Sequence, residues 1–402
     1  MTGTYRYVHF DKASSAPEVP VTDFNEESAK KVRAFHQSFP DYAPTPLREL
    51  SQLASRLGLK DFYVKDESFR FGLNAFKALG GSYAIGCALA SKLGISPEEL
   101  SYEMITGDEA KEKLGKITFV TATDGNHGRG VAWTAGRLGQ SCVVYMPKGT
   151  ARERLDNILA LGADASITEL SYDDCVRLAA ENAEKYGWVM VQDTAWEGYE
   201  AIPRKIMQGY TTMAQEAHLQ LNGVKPTHIF LQAGVGSMAA AMCAYFISLY
   251  EKKDRPIITV IEPESADCFY RTAEASDGKL HFAEGEMHSI MAGLCCGEPC
   301  TIAWEILKCY ADNFVVIPDS TAAKGMRVLG NPLPGDEKII SGESGASTSG
   351  FVTELMQKEE LKSLRDVIKL DENSVVLCFS TEGDTDRENY RRIVWDGAYS
   401  NI

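Results

Sequence analysis

Lys77 stands in Asn74-Ala75-Phe76-Lys77-Ala78-Leu79-Gly80-Gly81, an apolar stretch flanked by glycine. A lysine in such a place loses its proton at modest cost, because burial disfavours the charged amine. The neutral amine is the form that condenses with an aldehyde. Two later segments complement it, Thr121-Ala122-Thr123-Asp124-Gly125-Asn126-His127-Gly128 and Ala233-Gly234-Val235-Gly236-Ser237-Met238. A glycine turn that opens a helix holds a phosphate through backbone amides and the helix dipole. Asn126 offers a side-chain amide to a phenolic oxygen or a carboxylate. His127 taken alone reads more readily as a hydrogen-bonded structural histidine than as a catalyst.

An aldehyde and a phosphate on one small molecule describe pyridoxal phosphate (PLP). A dinucleotide fits less well. Gly234-x-Gly236 lies in mid-chain and Ala239 occupies the third glycine position of the dinucleotide fingerprint. Taken singly, that turn is a common one, and the lysine could be an ordinary surface residue. Asp124 and Asp193 are the loop carboxylates placed to move a proton, although each could equally hold a turn or a helix end.

These loops need a scaffold that presents them together. Continuous apolar runs predict strands at 62–64, 117–121, 142–145, 165–168, 188–191, 228–231, 257–261, 314–317 and 374–377. Runs of this kind, rather than alternating ones, suit strands buried on both faces of a parallel sheet. Helical periodicity falls between them, at 151–161, 174–186 and 202–221, and earlier at 26–39 before Pro40. Residues 11–26 read as an extended arm. The fold class is α/β with crossover helices. The informative loops each follow a strand and open a helix, where open α/β sheets bind ligands. A fourth such loop is Gly342-Glu343-Ser344-Gly345-Ala346, expected to precede a helix at 348–357.

Composition narrows the partners. The chain has 402 residues, 44% hydrophobic and 24% charged, with a net charge of -15. That charge argues against nucleic acid and anionic membrane. Any anionic cofactor must therefore be captured by local amides. The opening residues show no apolar core of secretory length, and no run of about 18 apolar residues occurs. A cytoplasmic enzyme is expected. The ten cysteines are irregularly spaced and read as reduced, small core residues. Cys295-Cys296-Gly297-Glu298-Pro299-Cys300 lacks a second pair or a histidine pair at finger spacing, so no metal is expected.

Taken together, the Lys77, Thr123–His127 and Gly234–Met238 loops resemble the fold type II PLP enzymes, which include serine and threonine dehydratases and tryptophan synthase β. The resemblance implies two open, mostly parallel twisted sheets flanked by helices. It implies a large domain of residues 1–68 and 190–402 and a small one of 69–189. It makes Lys77 the Schiff-base lysine. Thr123, Gly125, Asn126 and His127 become the loop for substrate carboxylate and cofactor 3′-oxygen, with Asn126 on the cofactor. Gly234, Val235, Gly236, Ser237 and Met238 become the phosphate loop. Ser380 or Thr381 would face the pyridine nitrogen, and the residues do not choose between them.

Asp124, where dehydratases carry a small residue, narrows the match. So do Lys65-Asp66-Glu67-Ser68, Gln192-Asp193-Thr194-Ala195-Trp196 and Ser380-Thr381-Glu382-Gly383-Asp384. With these the chain resembles the 2,3-diaminopropionate ammonia-lyases, from about residue 35 to 395. The reaction so implied is α,β-elimination of ammonia from either isomer of 2,3-diaminopropionate, giving pyruvate and two ammonia. Both aspartates would contact substrate, Asp124 serving the D-isomer and Asp193 the L-isomer. A homodimer is implied as well. Alternatives are a serine or threonine dehydratase of the same fold and a silent PLP-binding protein. A polar excursion, Ser101–Lys116, reads as a solvated loop and helix, with a lid as the sharper alternative.

Overall fold

The computed structural model describes residues 4–10, 18–97, 99–123 and 125–400. Eleven strands form among them: β1 (Arg6–His9), β2 (Leu47–Glu49), β3 (Asp61–Asp66), β4 (Thr118–Ala122), β5 (Ser141–Met146), β6 (Asp164–Ile167), β7 (Val189–Met190), β8 (His228–Gln232), β9 (Ile257–Pro263), β10 (Asn313–Ile317) and β11 (Val375–Ser380). All nine apolar runs are strands. The other two, β1 and β2, are short, partly exposed edge strands that pair antiparallel and carry arginine, so neither forms an apolar run.

Two sheets result. One has the order β1-β10-β9-β8-β11-β3-β2 and the other β6-β5-β4-β7. Apart from β1 and β2 every pairing is parallel. The larger sheet is buried on both faces at β8, β10 and β11, as continuous apolar runs require. In the smaller sheet β5 alternates buried and half-buried positions, and β6 alternates exposed and half-buried ones. Both strands are therefore covered more fully on one face than on the other.

The strand order reverses once in each sheet. In the larger sheet β8, β9 and β10 step one way while β11 and β3 lie on the other side. In the smaller, β4, β5 and β6 step one way and β7 lies opposite. At such reversals the outgoing chains part and leave a crevice beyond the carboxyl ends of the strands. The loops after β4, β7, β8 and β11 therefore all border one space, and these are the loops singled out above.

Helices fix the rest. Asn25 caps the helix Glu26–Gln37 by accepting from the Ser28 amide at 2.9 Å. The helix Asn126–Arg137 crosses Ala78–Leu93 so closely that a Cβ on Gly130 would lie 2.9 Å from the Ala78 nitrogen. That contact sets the start of one helix, with Asn126 and His127, beside the start of the other, with Lys77. The helix expected at 348–357 begins earlier, at Glu343, taking in the glycine-containing turn. Ser101–Lys116 forms two short helices, Tyr102–Thr106 and Asp108–Leu114. The Tyr102 ring packs 4.9 Å from that of Phe39, and the segment lines no part of the cavity described below.

The turn leading to Lys77 has an unusual foundation. Lys65 donates to Glu216 Oε2 at 2.8 Å, the Thr45 carbonyl at 2.6 Å and Gln220 Oε1 at 2.8 Å. Arg70 donates to both oxygens of Glu216 at 2.7 and 2.8 Å and to both of Glu67 at 2.9 Å. These four side chains are 0–1% exposed. Burial raises the Glu216 carboxyl, but Arg70 and Lys65 outweigh it and hold the group well below its usual range. Directly after Arg70, Phe71 takes φ 50° and Asn74 φ 59°. Left-handed backbone costs a non-glycine residue about 1–2 kcal/mol, so the network holds a strained turn in place. Removing one charge of a buried set strands its partners, at about 3–5 kcal/mol. Glu216→Gln is expected to lose that much stability in denaturant unfolding of the apoprotein; a loss below about 1 kcal/mol would show that the turn stands without the network.

Candidate active site

Lys77 immediately precedes the helix Ala78–Leu93, in a segment bound edge-on to the loop after β11. The Phe76 amide donates to the Thr381 carbonyl at 3.1 Å, the Gly383 amide to the Asn74 carbonyl at 3.0 Å, and Ala75 bridges Glu382. The lysine is thus carried by backbone pairing rather than by a free loop. Its Nζ donates to Asp193 Oδ2, and the two side chains are 19% and 4% exposed.

Asp193 comes from the loop after β7 and is nearly enclosed. Burial pushes its carboxyl up, but the charges of His127 and Lys77 prevail and hold it at about 2. His127 Nε2 lies 2.8 Å from the Val191 carbonyl, which can only accept, so that nitrogen carries a proton whether or not the ring is charged. Its Nδ1 then faces Asp193 Oδ2 at 3.7 Å. Thr123 Oγ1 accepts from the Gly125 and Gly128 amides at 2.9 and 3.0 Å, tightening the turn into the helix. Asn126 Nδ2 donates to Glu382 Oε2 at 2.5 Å.

The glycine loop leaves β8 and enters the helix Ser237–Ser248, whose residues from Ser237 to Ile247 are buried and uncharged. Gly236 has φ 87°, and a Cβ there would lie 2.3 Å from Phe269 Cζ. Only glycine fits this turn. Ser237 Oγ donates to the Asp193 carbonyl at 2.6 Å, joining the loop after β8 to the loop after β7.

After β11 the two hydroxyls part. Ser380 Oγ donates to Ser341 Oγ at 2.8 Å, away from the cavity. Thr381 lines it, and Thr381 Oγ1 accepts from Gln232 Nε2 at 3.0 Å. With a lone pair so occupied, the hydroxyl hydrogen is left to donate elsewhere.

Lys77, Thr123, Asn126, His127, Asp193, Gly234, Val235, Gly236, Ser237, Met238 and Thr381 line a single cavity of about 980 Å³ between the sheets. Gly125 and Ser380 support it from behind. Asp124 lies outside the described residues. Tyr210 and Gln232, which the sequence did not single out, also line the cavity, together with Glu343 and Glu382 from the Gly342–Ala346 and Ser380–Asp384 segments. Glu343 accepts from Asn389, and burial with the neighbouring Glu382 charge pushes its carboxyl up to about 7. Glu382 stood in a motif that drew attention, whereas Tyr210 carried no signal inside its helical pattern. Among the described residues no disulfide joins any of the ten cysteines.

The arrangement fits PLP on three counts. A buried helix start behind a glycine turn suits a phosphate. An enclosed lysine suits an aldehyde. Buried polar atoms in the cavity wall, Gln232 Oε1 and Ser344 Oγ, have no hydrogen-bond partner among the described residues.

Comparison with known proteins points the same way. Residues 39–370 match the family model described as pyridoxal-phosphate dependent enzyme. Over 380 residues the chain is 50% identical to the diaminopropionate ammonia-lyase of Escherichia coli (strain K12), covering 94% of each. It superimposes on a crystal structure of the Escherichia coli diaminopropionate ammonia lyase with D-serine at a TM-score of 0.92 and 46% identity, covering 99% of this chain and 98% of that one. The structure of that enzyme with an aminoacrylate-PLP azomethine reaction intermediate gives a TM-score of 0.90 at 47% identity, covering 99% and 98%.

Gly236→Asp adds a side chain, a negative charge and a left-handed aspartate where amides face the cavity. The backbone term alone is about 1–2 kcal/mol. We expect lower thermal stability and weaker PLP affinity in a spectroscopic titration, with occupancy partly restored by excess PLP. Unchanged affinity would place the phosphate elsewhere.

Proposed function

The chain belongs to the diaminopropionate ammonia-lyases, a branch of the pyridoxal-phosphate dependent enzymes, and we propose from that premise how its own residues divide the reaction. The activity is elimination of ammonia from 2,3-diaminopropionate, a carbon–nitrogen lyase reaction that leaves pyruvate and a second ammonia. The observation that carries the assignment of roles is the Lys77 amine held against a nearly enclosed Asp193 beside the Gly236 turn.

In this reading Lys77 Nζ holds the cofactor's aldehyde carbon and the amides of Gly234 to Met238 hold its phosphate. Asn126 meets the 3′-oxygen, its amide oriented by Glu382. Thr381, rather than Ser380, gives its hydroxyl to the pyridine nitrogen. Thr123, Gly125 and His127 shape the turn that receives the substrate carboxylate. Bound PLP supplies an electron-accepting ring that takes up the electron pair left at Cα.

Asp193 is then the proton acceptor on one face. With the ammonium of Lys77 beside it the carboxylate is a weak base. Were that amine uncharged, one of the two positive charges depressing Asp193 would be gone and burial would remain. Its basicity rises when a substrate proton has to be taken. Asp124 is proposed for the opposite face, since the α-hydrogens of the D- and L-isomers point to opposite sides once amine and carboxylate are fixed. The departing β-amine needs a proton, and either carboxylate, once protonated, could supply it.

The separate four-stranded sheet supports treating residues 69–189 as a smaller unit against residues 1–68 and 190–402. Among the described residues no helix is long and apolar enough to cross a membrane. A cytoplasmic homodimer acting on a small amino acid completes the proposal.

Lys77→Ala is expected to abolish turnover and the visible band of the lysine-bound cofactor; activity at the wild-type level would end the assignment. The aspartates separate by stereochemistry. Loss of a general base is commonly worth about 10²–10⁴-fold in rate. Asp124→Asn should lose that factor in kcat/KM for the D-isomer and Asp193→Asn for the L-isomer. Equal losses for both isomers in both variants would assign the pair to a shared step.

A further inference from the structure

Tyr210 lies in the helix Ala201–Gln220, behind the segment that carries Lys77. Its ring is packed from two sides. The Phe76 ring centroid is 4.8 Å away, and a Cβ on Gly80 would come within 2.6 Å of Tyr210 Cε1. The side chain is 1% exposed, and its ring has no freedom to carry the hydroxyl out to solvent. Yet that hydroxyl has no hydrogen-bond partner among the described residues, and Tyr210 lines the cavity together with Lys77 and Asp193.

A buried hydroxyl without a partner is destabilising, and a phenylalanine would fill the same space without that cost. Burial raises the phenol, the Lys77 charge lowers it and the Asp193 charge raises it, so the group is within electrostatic reach of both. With a net upward shift it stays a neutral O–H through the physiological range. It can accept from an amine and donate to another acceptor at once.

We propose that Tyr210 is a further catalytic residue, its hydroxyl accepting a hydrogen bond from the Lys77 nitrogen as that nitrogen turns from Asp193 toward the aldehyde of the cofactor. Holding one N–H bond on the phenol directs the amine lone pair into the cavity. Condensation then forms the C–N bond and releases water, and the phenol neither gains nor loses a proton. The inference rests on the role proposed for Lys77.

Tyr210→Phe tests it with little risk to folding, because the ring packing is kept and only the unpartnered oxygen is removed. Three measurements are made on wild type and variant: melting of the apoprotein, affinity for pyridoxamine phosphate, and the rate at which the visible band grows on mixing apoprotein with PLP. Pyridoxamine phosphate keeps the phosphate and ring but has no aldehyde for Lys77. The expected result is unchanged or higher melting, unchanged pyridoxamine phosphate affinity, and band growth slowed roughly ten- to a hundredfold. Equal rates of band growth would overturn the proposal. So would a variant that loses melting temperature and analogue affinity together, since that is the mark of a packing role. If wild type itself gave no visible band, the reading of Lys77 would fail instead.

Discussion

Four buried charges, Lys65, Glu67, Arg70 and Glu216, support the segment on which the chemistry depends. Two positive and two negative groups cancel in sum; Arg70 meets both carboxylates and Lys65 meets that of Glu216. Isolated buried ion pairs contribute little net stability, because desolvation consumes most of the attraction. What this set supplies is position. It ties β3 and the turn after it to the helix Ala201–Gln220, and the chain emerging from that turn passes through left-handed Phe71 and Asn74 to arrive at Lys77. A turn of lower energy would deliver the lysine in another direction.

From that anchor the site is assembled by topology. One sheet reverses order between β8 and β11, the other between β4 and β7, and each reversal opens the loops that follow its strands. Lys77 is paired by backbone to the loop after β11, Ser237 reaches from the loop after β8 to the carbonyl of Asp193, and Asn126 reaches across to Glu382. The last two of these bonds cross between the two sheets. A shift of one sheet against the other would therefore be felt at the lysine, the carboxylate and the amide together.

Much of this was legible in the residues. Strands buried on both faces announce themselves as unbroken apolar runs, and all nine so marked were found. Edge strands β1 and β2 did not, because an edge tolerates arginine and glutamate. The glycine and lysine loops could be read because their chemistry constrains residue type at fixed spacing. Ser380 and Thr381 could not be separated, since both are buried hydroxyls at a strand end and only the direction of each side chain distinguishes them. Tyr210 was hidden for a different reason: a tyrosine inside a helix that packs on apolar neighbours looks like any core aromatic. Its significance lies in an oxygen that the fold leaves unpartnered, which no pattern of residue types reveals.

The helix Ser237–Ser248 has a consequence for how the protein meets its surroundings. The chain as a whole is strongly acidic, and through bulk water its field would repel a phosphate. The amides that open this helix are wrapped in apolar side chains, with no lysine or arginine among the helix's own residues to lend them charge. Mobile ions weaken attraction between exposed charges over about 8–10 Å, but they cannot enter such a wrapped helix. Capture of the cofactor should then be nearly indifferent to salt once the anion has reached the cavity, while its approach through the acidic exterior speeds up as salt rises. Ionic strength would govern how fast an emptied protein refills, and hardly at all how full it becomes.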